Sequence, residues 1–260
     1  GLRLTELSLP SSAETRDVLR LVVAALQGQT GDLAGAEMTL RENLVEKPAH
    51  APTIEALSAL LLSQGKASDL LATLGEQAGA REKQEDEWDA ADDTLSAADL
   101  WLRAAQAAEA HLSSAEALAA YKRAAALRKD ADTLDAVARL LAARGEHNEA
   151  VKWLYDLAAL LAGPERHAVI VRLSRAYAAD GNVAAATRVL EETLQAEPRQ
   201  GLLQTELSEL YRRTGAWESF TRVTLGAARD ADDPEAKIAG IRAAAEAYVD
   251  KLHLPDAAIP

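Results

Sequence analysis

Apolar residues recur three and four apart along most of the chain, interrupted about every 34 residues by a small or polar turn. The pattern is clearest in 167–198, HAVIVRLSRAYAADGNVAAATRVLEETLQAEP. Leu173, Ser174 and Tyr177 share one stripe, and Ala186, Leu190 and Leu194 share another, on either side of Asp180-Gly181-Asn182. That spacing is the period of an amphipathic helix, so the stretch predicts two short helices around a turn. Pro198 ends the second helix, because proline has no N–H to donate and restricts the residue before it.

Five more stretches fit the same frame. Taking Gly181 as the turn anchor, the equivalents are Gly31, Gly65, Leu112, Gly145 and Gly215. A small residue stands seven before each anchor: Ala24, Ser58, Ala105, Ala138, Ser174 and Ser208. A large residue precedes it in Val23, Leu57, Val137, Leu173 and Leu207, and another lies four before the anchor in Leu61, Leu141, Tyr177 and Tyr211. Five after come Ala36, Ala117, Ala150 and Ala186; nine after come Leu40, Leu74, Tyr121, Leu154 and Leu190. The small positions are where two helix backbones can approach, and the large ones fill the space between them.

A 34-residue helix–turn–helix unit with these residue types at these offsets resembles the tetratricopeptide repeat family. Trp101, eleven before its anchor, occupies a position where that family often has Trp. Leu112 in place of glycine and Phe220 in place of alanine depart from the motif. The resemblance implies an all-α, right-handed superhelical solenoid of six units and a partial seventh. The expected divisions are 1–80 for units one and two, 81–94 for an insertion, 95–231 for units three to six, and 232–260 for a partial seventh unit or capping helix. The seventh frame takes Leu252 as its anchor, with Ala245, Tyr248 and Ala257 in register. The sequence stops inside that unit, which reads as a piece of a longer chain.

The insertion, REKQEDEWDAADDT, holds seven acidic residues. A charge run of this kind reads first as a solvated inter-unit loop. A calcium loop is excluded by the spacing and by the lack of a turn glycine. Trp88 either pins the loop to the array or offers a partner contact, since Trp is enriched in binding hot spots.

Charge narrows the functional classes. With 28 basic and 41 acidic residues the formal net charge is −13, unsuited to general binding of nucleic acid or anionic membrane. No apolar run reaches the ~20 residues of a membrane-spanning helix, so no direct membrane insertion is expected. There is no cysteine, which excludes disulfides and thiolate metal sites and is compatible with cytoplasm, the preferred reading, or periplasm. Alanine and leucine dominate, and the composition rich in these and arginine suggests a bacterial source. No Walker loop, dinucleotide fingerprint, HExxH or GxSxG is present. The five histidines are scattered; His111 and His147 fall beside turns, where a helix C-terminus would favour the cation. No cofactor, metal or catalytic residue is assigned.

In proteins of the family, the first helices of successive units line a concave face that holds peptides. Residues ten, six, three and two before each anchor lie one step round from the core stripe. The early units place Leu21, Ala25, Gly28, Glu55, Ala59, Leu62, Leu102, Gln106 and Glu109 there. The later ones place Asp135, Arg139, Val171, Arg175, Thr205, Glu209, Arg212, Arg213, Arg242 and Glu246. The expected site is therefore Arg139, Arg175, Arg212, Arg213 and Arg242 with Glu209, together with Gln106, Leu21 and Leu62. The arginines either receive an acidic or carboxylate-bearing partner segment or pair with Asp135, Glu209 and Glu246 of neighbouring helices. Leu21, Ala25, Ala59 and Leu102 stand where family members with a chaperone carboxylate clamp carry Lys or Asn, so that clamp is absent. The functional expectation is a scaffold or adaptor holding a partner segment. The alternative is a regulatory or substrate-recruiting arm of a larger enzyme, and self-association through the seventh unit is a third mode.

Overall fold

The computed structural model describes residues 13–83 and 93–258. Within them thirteen α-helices succeed one another with short connections. They are α1 (Ala13–Gln29), α2 (Leu33–Glu46), α3 (Ala51–Ser63), α4 (Ala67–Glu82), α5 (Ala97–His111), α6 (Ser114–Leu127) and α7 (Ala131–Ala143). Then come α8 (His147–Leu160), α9 (Gly163–Ala179), α10 (Val183–Ala196), α11 (Gly201–Thr214), α12 (Trp217–Asp230) and α13 (Pro234–Asp250), with a final 3-10 turn at Pro255–Ala258. The chain divides into two compact units, Gly1–Ala136 and Val137–Pro260.

Turn chemistry sets the hairpins. At Gly31, Gly65, Gly145, Gly181 and Gly215 the backbone φ is between +70° and +86°, a conformation open to glycine at little cost. Around Gly181, its own N–H bonds the Ala178 carbonyl (3.1 Å) and the Asn182 N–H bonds the Tyr177 carbonyl (2.8 Å). This closes the last turn of α9 with the main chain, in the Schellman pattern. Asn182 then caps α10, its side-chain oxygen accepting from the Ala185 N–H. The third hairpin turns differently. Leu112 sits at φ −123°, ψ −108°, and Ser113 caps α6 through the Glu116 N–H.

In the first unit α1 packs on α2 and α3, and each helix from α2 to α5 packs on its successor. In the second, each helix from α8 to α12 packs on its successor, and α9 also packs on α11. The frame positions form the core: Leu57, Leu61, Leu74, Leu141, Leu154, Leu173, Leu190 and Leu207 are buried, as are Ala36, Ala117, Ala150 and Ala186.

The insertion leaves from a helix and returns against one. α4 runs to Glu82, and the chain re-enters at Asp93–Leu95 beside the start of α3. There Ala51 N–H bonds the Asp93 carbonyl (2.7 Å) and Leu95 N–H bonds the Ala49 carbonyl (2.8 Å). Arg81 donates to the Thr94 hydroxyl at 3.0 Å. Trp101 ties α4, α5 and α6 together. Its indole N–H donates to Glu82 (2.8 Å), its ring lies against Gly75, and the Arg123 guanidinium stands 5.7 Å from its centroid. Trp88 lies outside the described residues.

The seventh frame departs from expectation after its first helix. The left-handed turn residue is His253 (φ 56°), not Leu252, and the next element within the described residues is the 3-10 turn rather than an α-helix. His147 opens α8 instead of closing a helix, whereas His111 ends α5.

Candidate partner-binding face

The face predicted from the offsets is the outward side of the first helix in each hairpin. In the first unit Ala25, Glu55, Ala59, Gln106 and Glu109 are exposed, while Leu21, Leu62 and Leu102 are half-buried. In the second, Arg139, Arg175, Arg212, Arg213 and Arg242 are all exposed and Glu209 is half-buried. Val171 is the exception: it is buried, on a helix that packs against α8, α10 and α11 together.

The arginines are not equivalent. Arg175 on α9 reaches α11 and holds Glu206 with two hydrogen bonds, 2.9 and 2.6 Å. This forked geometry is what guanidinium and carboxylate favour. The Glu206 carboxylate raises the Arg175 pKa above its ordinary value. Arg212 is taken up within its own helix, donating 2.8 and 2.7 Å bonds to Glu209; Arg212 in turn holds the Glu209 carboxyl below the usual range. Arg139 is held by contacts of its own. Arg213 and Arg242 form no ion pair among the described residues. Arg213 borders a small cleft between α9 and α11 with Arg175, Glu206 and Glu209. Salt bridges thus occupy two members of the expected basic row and leave two others open to solvent.

Glu206 was outside the positions expected to face this side. It stands nine before Gly215, and only the juxtaposition of α9 and α11 brings it to Arg175, 31 residues away in sequence. A second feature missed from the offsets is Tyr155, which pairs with the frame residue Tyr177 at the α8–α9 interface. Tyr155 and Tyr177 meet edge-on with centroids 6.2 Å apart, and their hydroxyls lie 3.2 Å apart. The two buried histidines each bond a neighbouring side chain. His50 bonds Thr53 (2.8 Å) at the start of α3, and His167 bonds Glu197 (2.7 Å), joining the start of α9 to the end of α10.

No family model matches the sequence, and no curated protein matches it. Solved structures do. Over 94% of this chain and 39% of that one, the fold is similar to the structure of Naa15/Naa10 bound to HypK-THB, with a TM-score of 0.55 at 15% identity. The likeness adds to a 34-residue hairpin period closed by left-handed glycines. The fold is that of the tetratricopeptide repeat. Other solved structures similar to this chain are a tetratricopeptide-like repeat protein, a putative kinesin light chain of Podosopora anserina (20% identity, 70% of this chain, 95% of that one, TM-score 0.43), and MamA protein (18% identity, 70% and 92%, TM-score 0.42). In a tetratricopeptide fold the arginines lie on the first helices, the side expected from the sequence to meet a partner.

Proposed function

We propose that this chain is a protein–protein interaction scaffold whose second compact unit holds an acidic or carboxylate-bearing partner segment against its first-helix face. One observation carries the reading. Arg213 and Arg242 present exposed guanidinium groups that form no close ion pair among the described residues, Arg213 acting on Glu209 only as a nearby charge, on a chain whose net charge is −13. In an acidic protein, cations left open on one face are where a carboxylate binds with least repulsion. The structural neighbour Naa15/Naa10 is itself bound to another protein, HypK, which supports a repeat scaffold as the general role.

The reading assigns Arg213 and Arg242 to recognition and Arg175 and Arg212 to holding the face in shape. Capture of partners from a lysate of the source cells, identified by mass spectrometry, tests it. Wild type and an Arg213→Ala/Arg242→Ala variant are compared at low and high salt. A partner lost in the variant and released by salt is the expected result. A partner held equally by both proteins would overturn it.

A further inference from the structure

The cleft between α9 and α11 is spanned by the Arg175–Glu206 ion pair. The next interval on the same face, between α11 and α13, is open. α9 packs directly on α11, but α11 and α13 scarcely touch, because α13 is drawn onto α12 instead. A Cβ placed at Gly240 would lie 2.8 Å from the Ala228 Cβ, so the two helices are almost in backbone contact there. What remains is a slot of about 580 Å³, within the size of sites that take ligands or buried side chains, ~300–1,000 Å³.

Its walls are built from small residues, with polar side chains among them. Gly201 and Thr205 on α11 face Ala236 and Ala239 on α13, over a floor that includes Ala227 and Thr224. The Thr224 hydroxyl is out of contact with solvent and has no hydrogen-bond partner. At the rim stands Arg199, its side chain 86% exposed and 4.0 Å from the nearest carboxylate oxygen, on Asp230. That is the outer limit of an ion pair. The segment bearing Arg199 is fixed at the slot by Gln204, which is buried and donates to the Pro198 carbonyl at 3.0 Å.

A trough walled largely by alanine and glycine, with Ser208 and Asp230 also in its lining and a loosely paired guanidinium at its edge, suits one kind of occupant. We propose that the α11–α13 slot receives the large apolar side chain of an acidic partner segment, while Arg199 meets a flanking carboxylate. This rests on the function proposed above and adds a sequence requirement to it: charge alone is insufficient, and one bulky apolar residue must lie among the acids.

Two labelled peptides test it, Glu-Asp-Glu-Leu-Glu-Asp-Glu and the same peptide with Ser for Leu, titrated onto the whole chain by fluorescence anisotropy. Wild type binds the Leu peptide about tenfold more tightly, from burial of one leucine side chain. Ala239→Trp fills the slot from its exposed side and abolishes that preference. Thr205→Trp does the same from the opposite wall, with circular dichroism confirming that both variants stay helical. Arg199→Glu weakens both peptides. Equal binding of the two peptides to wild type, or a preference that survives both slot-filling variants, overturns the slot. If binding of both peptides still falls with Arg213→Ala/Arg242→Ala, the acidic-segment reading stands without it. No binding of either peptide overturns both.

Discussion

Ser174 on α9 donates its hydroxyl to the Ala186 carbonyl on α10, 3.0 Å away, in the interior of the fifth hairpin. The two residues are the small positions seven before and five after Gly181, so the offsets that look like mere absence of bulk mark the point where the paired helices touch. Both are buried. Replacing Ser174 by Ala removes one buried hydrogen bond and lowers stability by about 0.5–1.5 kcal/mol. Replacing it by Leu forces the helices apart and costs more, roughly 1–3 kcal/mol from overpacking alone. Urea midpoints of the two variants against wild type give the order.

A second consequence concerns the turns. Gly181 has φ +82° and open space around the position of a Cβ. Gly181→Ala therefore meets no clash and registers only the backbone penalty, roughly 1–2 kcal/mol. Leu112→Gly in the third hairpin gains nothing in return, because that residue has negative φ. Thermal unfolding monitored by circular dichroism distinguishes the two: a lower Tm for Gly181→Ala, and no rise for Leu112→Gly.

Trp101 bridges three helices beside the insertion. Trp101→Phe deletes the donor to Glu82, a loss of about 1 kcal/mol for a half-buried bond to a charged acceptor, and also withdraws the far edge of the indole from Gly75. A cycle with Glu82→Ala gives less than additive losses, since either change alone breaks the same bond. Additive losses would place the contribution of Trp101 in its ring contacts only.

Alkali acts on two tyrosines. Burial, then the hydrogen bond to Glu191, pushes the Tyr211 hydroxyl up to about 12. The hydrogen bond with Tyr177, then burial, does the same to Tyr155, also to about 12. In the unfolded chain a tyrosine ionises near pH ~10. The fold prefers the neutral form, so this stabilisation is complete below pH 10 and is lost as pH rises from 10 through 12. Unfolding midpoints measured across that window fall for wild type, and fall less steeply for Tyr211→Phe.

Much of the architecture was legible because it is periodic. Glycine at five anchors reports a left-handed backbone, and Leu40, Leu154 or Leu190 report a buried stripe, whatever their neighbours. The third turn was less legible: Leu112 keeps the register while Ser113 does the closing. The face was legible only as a side of each helix. The exposed arginines could be placed from their offsets, but which of them is engaged could not. Arg175 finds Glu206 by contact between α9 and α11, whereas Arg212 finds Glu209 one turn back in its own helix. The α11–α13 slot was invisible for a related reason. It depends on how closely α13 lies on α12, which Gly240 and Ala228 decide jointly, and no single residue type announces a gap between two helices.

The excursion between α4 and α5 begins and ends on anchored backbone. Arg81 grips Thr94, Ala49 and Ala51 hold the returning chain, and Trp101 reaches back to Glu82 and Gly75. Continuity of the chain is therefore not what keeps α4 and α5 together. Opened at that place, the molecule behaves as a two-piece assembly whose halves recognise one another through contacts already made, and the covalent link becomes a matter of effective concentration.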